Sequence, residues 1–229
     1  MVTLSVIIPT LNEAAVIDST LRTLRRSDLV HEVIVVDGGS SDATTEIAAR
    51  HATVHHGSRG RARQMNAGAE VATGSAYLFL HADTLCPPSA ITAAVSALER
   101  GATSGTFQLQ FDMPSPMLRF YAACTRIPWI RICFGDRGLF CTRDAFEQVA
   151  GFPDWLIFED LELARRLHEA GSFHFLDEVV TTSARRFRST GIVRQQMLNL
   201  RLWLQYITGT HPDTLADLYE YPSPSEHVE

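Results

Sequence analysis

Short apolar runs alternate with helix-like patterns through the first half of the chain. Residues 4–8, 32–36 and 77–80 are rich in β-branched or aromatic side chains, which is typical of buried strands. Strands that alternate with helices build a mainly parallel sheet, so we expect an α/β fold with helices flanking a mainly parallel central sheet. Apolar and polar side chains alternate over 107–111, which predicts a strand with one wet face and mixed strands at the sheet edge.

Turn and capping residues set the predicted boundaries. The first strand is expected to stop at Pro9, and Thr10-Leu11-Asn12-Glu13 has the T-x-x-E form of a capping box for the helix that follows. Pro87-Pro88 can open a helix that Gly101 closes. Further strands are predicted at 53–55, 139–142 and 179–182. Further helices are predicted at 42–50, at 161–170, and from the end of segment 57–61 to Ala72.

The last predicted helix has one continuous apolar stripe over four turns. The stripe consists of Val193, Met197, Leu200, Leu204 and Ile207. Such a stripe predicts packing against the sheet or against a second copy of the chain in a homodimer. Arg194, Arg201 and Trp203 leave a peripheral membrane contact through 191–208 as the alternative. The Pro-, Ser- and Glu-rich residues 221–229 are expected to form a frayed tail.

Composition narrows the class of protein. The chain has 229 residues with 45% hydrophobic and 20% charged residues, values typical of a folded globular domain. No run of about 20 apolar residues and no basic leader is present, so we expect a cytoplasmic protein without a membrane span. The four cysteines form no C-x-x-C pair, which favours reduced thiols. A net charge of -6 argues against nucleic acid as a partner.

Polar residues cluster where predicted strands end, which is where open α/β sheets bind ligands. Segment 9–12 contains no glycine, so the G-x-G-x-x-G pattern of dinucleotide-binding proteins is absent. Asp37, followed by Gly38-Gly39, can accept hydrogen bonds from a base or a ribose, or it can cap the helix that follows. The sequence leaves both roles open.

Asp83 follows the strand at 77–80 and could bind a hard divalent cation, or cap the helix that begins at Pro87-Pro88. His81 is interpreted as its neighbour rather than as a second ligand. Glu159 and Asp160 precede a helix, where acids often only complement the helix dipole. The turn-rich, aromatic segment 151–155 before them makes Asp160 a candidate for a substrate cleft.

The cluster Arg185, Arg186 and Arg188 could clamp a diphosphate, or it could be an ordinary solvated run of charge. Taken alone, the second interpretation is favoured.

Together these segments resemble the family 2 glycosyltransferases, which transfer a sugar from a nucleotide donor with inversion. The matching segments occur in the family's order and are SVIIPTLNE (5–13), VIVVDGGSSDAT (33–44), LFLHADT (78–84), GFP (151–153) and EDLEL (159–163). The resemblance spans nearly the whole chain. It implies a GT-A type nucleotide-binding fold in one domain, 1–229, with a nucleotide- and metal-binding half (1–112), an acceptor-side half (113–190) and a helical extension (191–220).

The resemblance also implies roles for individual residues. Asp160 would be the general base, and Asp83 would hold Mg²⁺ or Mn²⁺ on the diphosphate. The nucleotide would contact Pro9, Thr10, Glu13, Asp37, Gly60, Arg61 and Asn66. Contacts with the acceptor or the diphosphate would come from Asp136, Glu159, Arg186 and Arg188. The donor would be a sugar nucleotide, with UDP favoured, and the acceptor a hydroxyl of a small or lipid-linked molecule.

Two departures from the family pattern matter. His81 replaces the first acid of the usual Asp-x-Asp metal motif, and Gln64-Met65 replaces the usual Ala-Arg before Asn66, for which Arg61 and Arg63 are expected to compensate. The residues at 81–84 and 60–66 resemble those of a subgroup linked to arsenosugar biosynthesis. A non-catalytic sugar-nucleotide-binding or scaffold protein and a glycoside hydrolase remain the alternatives.

Overall fold

The computed structural model describes residues 1–216, in which one eight-stranded sheet carries helices on both faces. The strands are β1 (Leu4–Thr10), β2 (Val30–Asp37), β3 (Thr53–His56), β4 (Ala76–Phe79), β5 (Thr84–Leu85), β6 (Ser104–Phe111), β7 (Leu139–Thr142) and β8 (Phe173–Thr182). They lie in the order β3-β2-β1-β4-β7-β6-β8-β5. The predicted tail at 221–229 and the end of the extension predicted at 191–220 lie outside the described residues.

Ten α-helices are described in residues 1–216. They are α1 (Ile17–Leu24), α2 (Thr44–Ala48), α3 (Arg61–Val71), α4 (Pro88–Glu99), α5 (Pro116–Cys124), α6 (Arg143–Gln148), α7 (Glu159–Ala170), α8 (Arg185–Thr190), α9 (Ile192–Ile207) and α10 (Pro212–Ala216). Short 3-10 helices lie at Ile130–Ile132 and Gly135–Arg137. Within this range, no helix combines the length and apolar character needed to cross a membrane.

The sheet is mostly parallel, as the sequence predicts. β3, β2, β1 and β4 pair in parallel, and Thr10 lies in register with Asp37 where β1 and β2 end. β7 runs antiparallel between β4 and β6, β8 is parallel to β6, and β5 pairs antiparallel with β8. The carboxyl ends of β1, β2, β4 and β6 therefore meet along one edge of the sheet.

Two apolar clusters cover the two faces of the sheet. Successive residues of β1 point to opposite faces, so Ile8 packs with α1 and α4 on one face and Ile7 packs with α3 and α7 on the other. All seven residues of β1 are buried, which explains its almost unbroken apolar sequence. This rigid, doubly covered sheet fixes the strand ends from which the polar segments project.

The predicted stop at Pro9 and the predicted capping box are wrong. β1 continues to Thr10, and Gly38 donates its N–H to the Thr10 carbonyl at 2.9 Å. Proline has no N–H to donate to a neighbouring strand. Pro9 interrupts no pairing with β4, because β4 ends at Phe79, which lies opposite Ile7. Thr10 turns its hydroxyl to the Asp37 carboxylate at 3.2 Å, and α1 begins only at Ile17, without a side-chain cap.

Other boundaries differ modestly. The helix predicted at 42–50 is shorter, because Asp42 accepts the N–H of Thr44 at 3.0 Å and so holds a turn ahead of α2. The strand predicted at 179–182 begins earlier, at Phe173, since β6 supplies a long parallel neighbour. The alternation over 107–111 is confirmed in β6, where the apolar residues are buried and Gln110 is exposed.

The apolar stripe of the last helix does not pack against the sheet. Val193, Met197, Leu200 and Leu204 are all exposed along α9, whereas Leu202 is buried. The inner side of α9 carries Leu202, on the opposite side of the helix from the stripe. Next to it, Trp203 donates its indole N–H to the carbonyl of Arg131 at 2.7 Å. The predicted contact with the sheet is therefore wrong, and the apolar stripe faces outward.

Candidate active site

One cavity lies at the sheet edge where the strand ends meet. It has a volume of about 220 Å³ and lies between residues of the sheet edge, α5, α7, α8 and α9. Six Arg, His or Asp side chains line it: Arg61, His81, Asp83, Asp136, Asp160 and Arg186. Asp83 and Asp160, which are 77 positions apart in the sequence, thus face the same space.

Asp160 is held at the start of α7 by two backbone N–H groups. Gly135 donates to Oδ2 at 2.5 Å and Leu161 donates to Oδ1 at 2.7 Å. The preceding residue pair turns sharply, because Phe158 has a φ of 62° in the left-handed region, which costs a non-glycine residue about 1 kcal/mol. The Phe158 ring stacks on Tyr206 with centroids 4.8 Å apart, and this contact from α9 helps to hold the turn.

Gly135 is a point of close approach between three elements. A Cβ at this position would lie 2.8 Å from Asp160 Oδ2 and 3.1 Å from His81 Nε2. His81 is partly buried, and this burial together with the charges of Arg61 and Arg185 lowers its pKa to about 3. The imidazole is therefore neutral at physiological pH, and its Nε2 has no hydrogen-bond partner among the described residues.

Asp136 is the second acid beside Asp160. Burial and, after it, the negative charge of Asp160 together raise the pKa of Asp136 to about 7, against the opposing charge of Arg137. Oδ1 of Asp136 is buried and makes no hydrogen bond within residues 1–216. The cavity thus contains a carboxyl group that exchanges a proton near neutral pH.

Arg185 links the first loop of the chain to Asp83. Its guanidinium contacts Glu13 at 2.5 Å and Asp83 at 3.4 Å. Burial raises the pKa of both carboxyl groups, and the Arg185 charge opposes this in each case. Glu13, which follows β1, is therefore connected to the cavity through a single cation without lining it.

Asp37 lies at the same sheet edge but outside the cavity lining. Its Oδ2 accepts the N–H groups of Gly39 at 2.9 Å and Ser40 at 2.8 Å, and Oδ1 accepts the Thr10 hydroxyl. Burial tends to raise the pKa of Asp37, but these bonds outweigh it and hold the pKa below its usual value. In this state the carboxylate organises its own loop, and nucleotide contact stays a prediction.

Gln64 ties this loop to α3. Its amide donates to the carbonyls of Thr10 at 2.8 Å and Val36 at 2.7 Å. The residue that departs from the family pattern is therefore a buried brace between the ends of β1 and β2. Arg63, expected to compensate for that departure, pairs instead with exposed Asp154 on the outside of the protein.

Arg61, which is partly exposed, pairs with the buried Glu159 beside the cavity. Arg61 Nε lies 2.8 Å from Glu159 Oε1, and Arg61 also lines the cavity. Burial raises the pKa of Glu159 to about 7, against the opposing charge of Arg61. Gly60 precedes α3 with a φ of 132°, a conformation that favours glycine, so it sets the direction in which Arg61 leaves the loop.

Other predicted site residues lie apart from the cavity. Asn66 bonds the backbone of Phe152 through both amide atoms, at 2.9 and 3.0 Å, and so joins α3 to the segment before α7. Pro9 is buried in β1. Of the three arginines around α8, Arg186 lines the cavity, Arg185 reaches Asp83, and Arg188 pairs with Asp112 at 3.0 Å.

Several aromatic residues that line the cavity were not predicted from the sequence. Tyr121 on α5 and Phe134 before the 3-10 helix at Gly135–Arg137 line the cavity. Both lie between β6 and β7, where residues 113–134 follow no regular apolar period. Asn199 and Leu202 of α9 line it as well. A second, inward stripe on α9, offset from the stronger apolar stripe, was the available signal.

The residues fit a divalent cation that is shared with a phosphate group. Asp83 offers a carboxylate and His81 an unpartnered buried nitrogen. Within residues 1–216, no group of three or more His, Cys, Asp or Glu side chains is arranged to hold a metal ion alone. Mg²⁺ commonly takes one or two protein ligands and completes its shell with substrate phosphates, which is the arrangement that this sparse set allows.

Comparison with known proteins identifies relatives of the fold. The model of the family described as glycosyl transferase family 2 matches residues 5–149. Proteins of Mycobacterium bovis and Mycobacterium tuberculosis named "PGL/p-HBAD biosynthesis glycosyltransferase" are 40% identical over 88 residues, which is 34% of this chain and 34% of theirs. The chain thus spans about a third of the length of these curated relatives.

Two solved structures share the GT-A architecture. The mannosyltransferase PcManGT from Pyrobaculum calidifontis, in complex with GDP-Man and Mn²⁺, superposes with a TM-score of 0.67 at 19% identity and covers 97% of this chain and 66% of that one. S. aureus TarS 1-349, in complex with UDP, gives a TM-score of 0.65 at 18% identity and covers 80% and 60%. At such identities the likeness concerns the fold alone.

Proposed function

The chain belongs to glycosyl transferase family 2, and from that premise we propose that it transfers a sugar from a nucleotide-diphosphate donor to a hydroxyl group with inversion. One observation carries the proposal: Asp83 and Asp160 line the same cavity, with Arg61 and Arg186 beside them. A glycosyl transfer needs a base for the acceptor and positive charge for the departing diphosphate. Both kinds of group are present within one space.

Asp160 is the proposed general base. The N–H groups of Gly135 and Leu161 fix both carboxylate oxygens, so the orientation of the group is set before a substrate arrives. In the reaction, an acceptor hydroxyl would give its proton to Asp160 while its oxygen attacks the anomeric carbon. The C–O bond to the diphosphate breaks on the opposite face, which gives inversion in one displacement.

The leaving diphosphate is proposed to lie near Asp83. Arg61 and Arg186 would stabilise the negative charge that develops on it. Mg²⁺ or Mn²⁺, held by Asp83, would supply further charge neutralisation when bound. Arg185 pairs with Asp83 in this structure, so binding of the cation requires this guanidinium to move away or to turn to the phosphate.

The nucleotide is proposed to lie against the loops that follow β1 and β2. The proposed contacts with the nucleotide are Pro9, Thr10, Glu13, Asp37 and Gly60. UDP is the favoured nucleotide of the donor. These loops lie at the edge where β1 and β2 end in register, next to the cavity that contains Asp83. Asn66 supports this region from α3, through the backbone of Phe152.

Three further residues are proposed to contact the acceptor or the diphosphate. They are Asp136, Glu159 and Arg188, and Asp136 is the one of the three that lines the cavity. The likeness of 81–84 and 60–66 to the subgroup linked to arsenosugar biosynthesis stays a prediction about the pathway, resting on those two segments.

Binding and turnover measured separately test the function. Thermal shift with UDP, GDP, dTDP and CMP sugars in the presence of Mn²⁺ identifies the donor, and release of the nucleoside diphosphate measures transfer or donor hydrolysis. Asp160→Asn is expected to lower kcat by about 10² to 10⁴-fold while donor affinity is retained. Asp83→Asn is expected to weaken donor binding in the presence of Mn²⁺ and to leave the metal-free affinity nearly unchanged.

Exposed Asp144→Asn on α6 is the matched control, and it should change neither quantity. Near-normal turnover in Asp160→Asn would reject the base role. A protein that binds none of the four sugar nucleotides would contradict the proposed function as a whole.

A further inference from the structure

The outer side of α9 is apolar and uncovered by the described chain. Val193, Met197, Leu200 and Leu204 expose 63, 63, 49 and 45% of their surface. Their spacing of four, three and four residues places them on one face of a helix about 24 Å long. A single exposed leucine is ordinary, but a continuous stripe of this length marks a contact surface.

The loop after α5 extends this surface. Ile127 and Trp129 expose 55 and 44% of their surface. The Trp129 ring meets Trp203 of α9 edge-on at 5.8 Å, and Trp203 bonds the Arg131 carbonyl, so the loop is fixed against the helix. We refer to Ile127, Trp129 and the four exposed residues of α9 as the α9 face.

The two segments that form the α9 face carry charges of one sign. Segments 113–131 and 184–210 contain eight arginines and no Asp or Glu, although the whole chain has a net charge of -6. Arg126, Arg131, Arg194 and Arg201 are exposed beside the apolar residues. Among the described residues, none of these four forms an ion pair with a carboxylate.

This distribution of charge decides between two occupants. A second copy of the chain, related by a two-fold axis, would place the same arginines opposite one another with no acid between them, which is unfavourable. An anionic lipid surface satisfies both features at once. Its headgroups attract the arginines, while the helix inserts its apolar face just below them and tryptophans lie at the boundary.

We propose that the α9 face docks onto an anionic lipid surface. The opposite side of the same helix contributes Asn199 and Leu202 to the cavity. Docking therefore places the cavity beside the lipid headgroups. If the proposed transferase function holds, the acceptor hydroxyl belongs to an amphiphile that reaches Asp160 from the membrane surface.

Co-sedimentation of the full chain with vesicles tests the docking without any turnover. Vesicles of phosphatidylcholine alone are compared with vesicles containing about a third phosphatidylglycerol, at low salt and at about 0.5 M salt. The protein should pellet only with the anionic vesicles, and salt should weaken the binding. Arg194→Gln with Arg201→Gln should lower the partition coefficient by about 25-fold, which is about fivefold for each arginine.

Apolar contact is tested with Met197→Glu and Leu200→Glu together, for which a loss of at least about tenfold is expected. The matched controls are Leu29→Glu with Val71→Glu, and Arg25→Gln with Arg26→Gln. These residues are exposed at the edge where the parallel strands begin, away from the cavity, and should leave vesicle binding unchanged. Circular dichroism and the unfolding temperature without ligand establish that every variant is folded.

The proposal is overturned if the protein stays in the supernatant with anionic vesicles, or if the control variants lose binding as strongly as the α9 variants. It is also overturned if light scattering shows a dimer that Met197→Glu dissociates while vesicle binding is absent. Vesicle binding without any sugar-nucleotide binding would refute the proposed function and leave the docking intact. Sugar-nucleotide binding without vesicle binding would do the opposite.

Discussion

Replacing Asp136 by asparagine is expected to stabilise the protein above neutral pH and to flatten the dependence of its stability on pH. In the folded protein, burial and then the charge of Asp160 raise the pKa of Asp136 from 3.8 to about 7. The folded state therefore binds this proton more tightly than the unfolded chain does. The stabilisation is complete below pH about 4 and is lost as the pH rises through about 7.

The size of the effect follows from the shift. A change of about three pKa units, at about 1.4 kcal/mol for each unit, makes the ionised Asp136 about 4 kcal/mol less favourable in the fold than in the unfolded chain. Asparagine has nearly the same shape and carries no charge. We therefore expect the free energy of unfolding of Asp136→Asn to exceed that of the wild type by about 1.5 kcal/mol near pH 5, where Asp136 is ionised only in the unfolded chain, and by about 4 kcal/mol near pH 8.

Equilibrium unfolding in urea at the two pH values measures this difference. Glu159, whose pKa is also raised to about 7 by burial, remains in the variant, so part of the wild-type pH dependence should persist. Asp28→Asn, at an exposed position, is the control and should reproduce the wild-type slope. Equal slopes for Asp136→Asn and the wild type would refute the reasoning, because they would mean that Asp136 is ionised at little cost in the fold.

Two further substitutions probe the supports of the site. Gly135→Ala places a methyl group 2.8 Å from Asp160 Oδ2, so kcat should fall by at least about tenfold with little change in donor affinity; steady-state kinetics and nucleotide titration measure the two, and unchanged kcat would show that the loop yields freely. Gln64→Leu removes the bonds to the Thr10 and Val36 carbonyls and should destabilise the fold by about 2 to 4 kcal/mol in urea unfolding, whereas a loss below about 0.5 kcal/mol would contradict the bracing role.

Much of the sheet could be predicted because local pattern and tertiary burial agree there. β7 and the alternation in β6 follow directly from their apolar periods. Boundaries failed where a long-range partner overrode a local signal. Thr10 satisfies Asp37 instead of capping a helix, and β8 is longer than its apolar run because β6 pairs with its first residues.

The α9 stripe shows a different limit of sequence analysis. A period of apolar residues identifies a helix and its apolar face, but it does not say what covers that face. The described chain buries Leu202 and leaves Leu200 exposed, so of the predicted contacts of the stripe the one with the sheet is wrong. The available clue was the charge, because residues 184–210 contain five arginines and no Asp or Glu although the whole chain has a net charge of -6.

The candidate site was predictable in part. The family resemblance implies that Asp83 and Asp160 belong to one site, and both do line the cavity. Asp83 lies where strands end at the sheet edge, whereas Asp160 is brought there by the start of α7. Asp37 lies beside that space, and its role in its own loop depends on side-chain geometry that a motif does not contain. Tyr121 could not be predicted, because no regular period governs the segment that contributes it.

The sequence contains no lysine, so all 20 of its Lys and Arg positions are arginine. A guanidinium keeps its proton at any pH at which proteins remain folded, and it is not a substrate for lysine acetylation. The positive charge beside the α9 face is therefore permanent. Loss of these arginine charges therefore cannot release the protein from a bilayer. Their attraction to the lipid is weakened instead by higher ionic strength or by fewer anionic lipids.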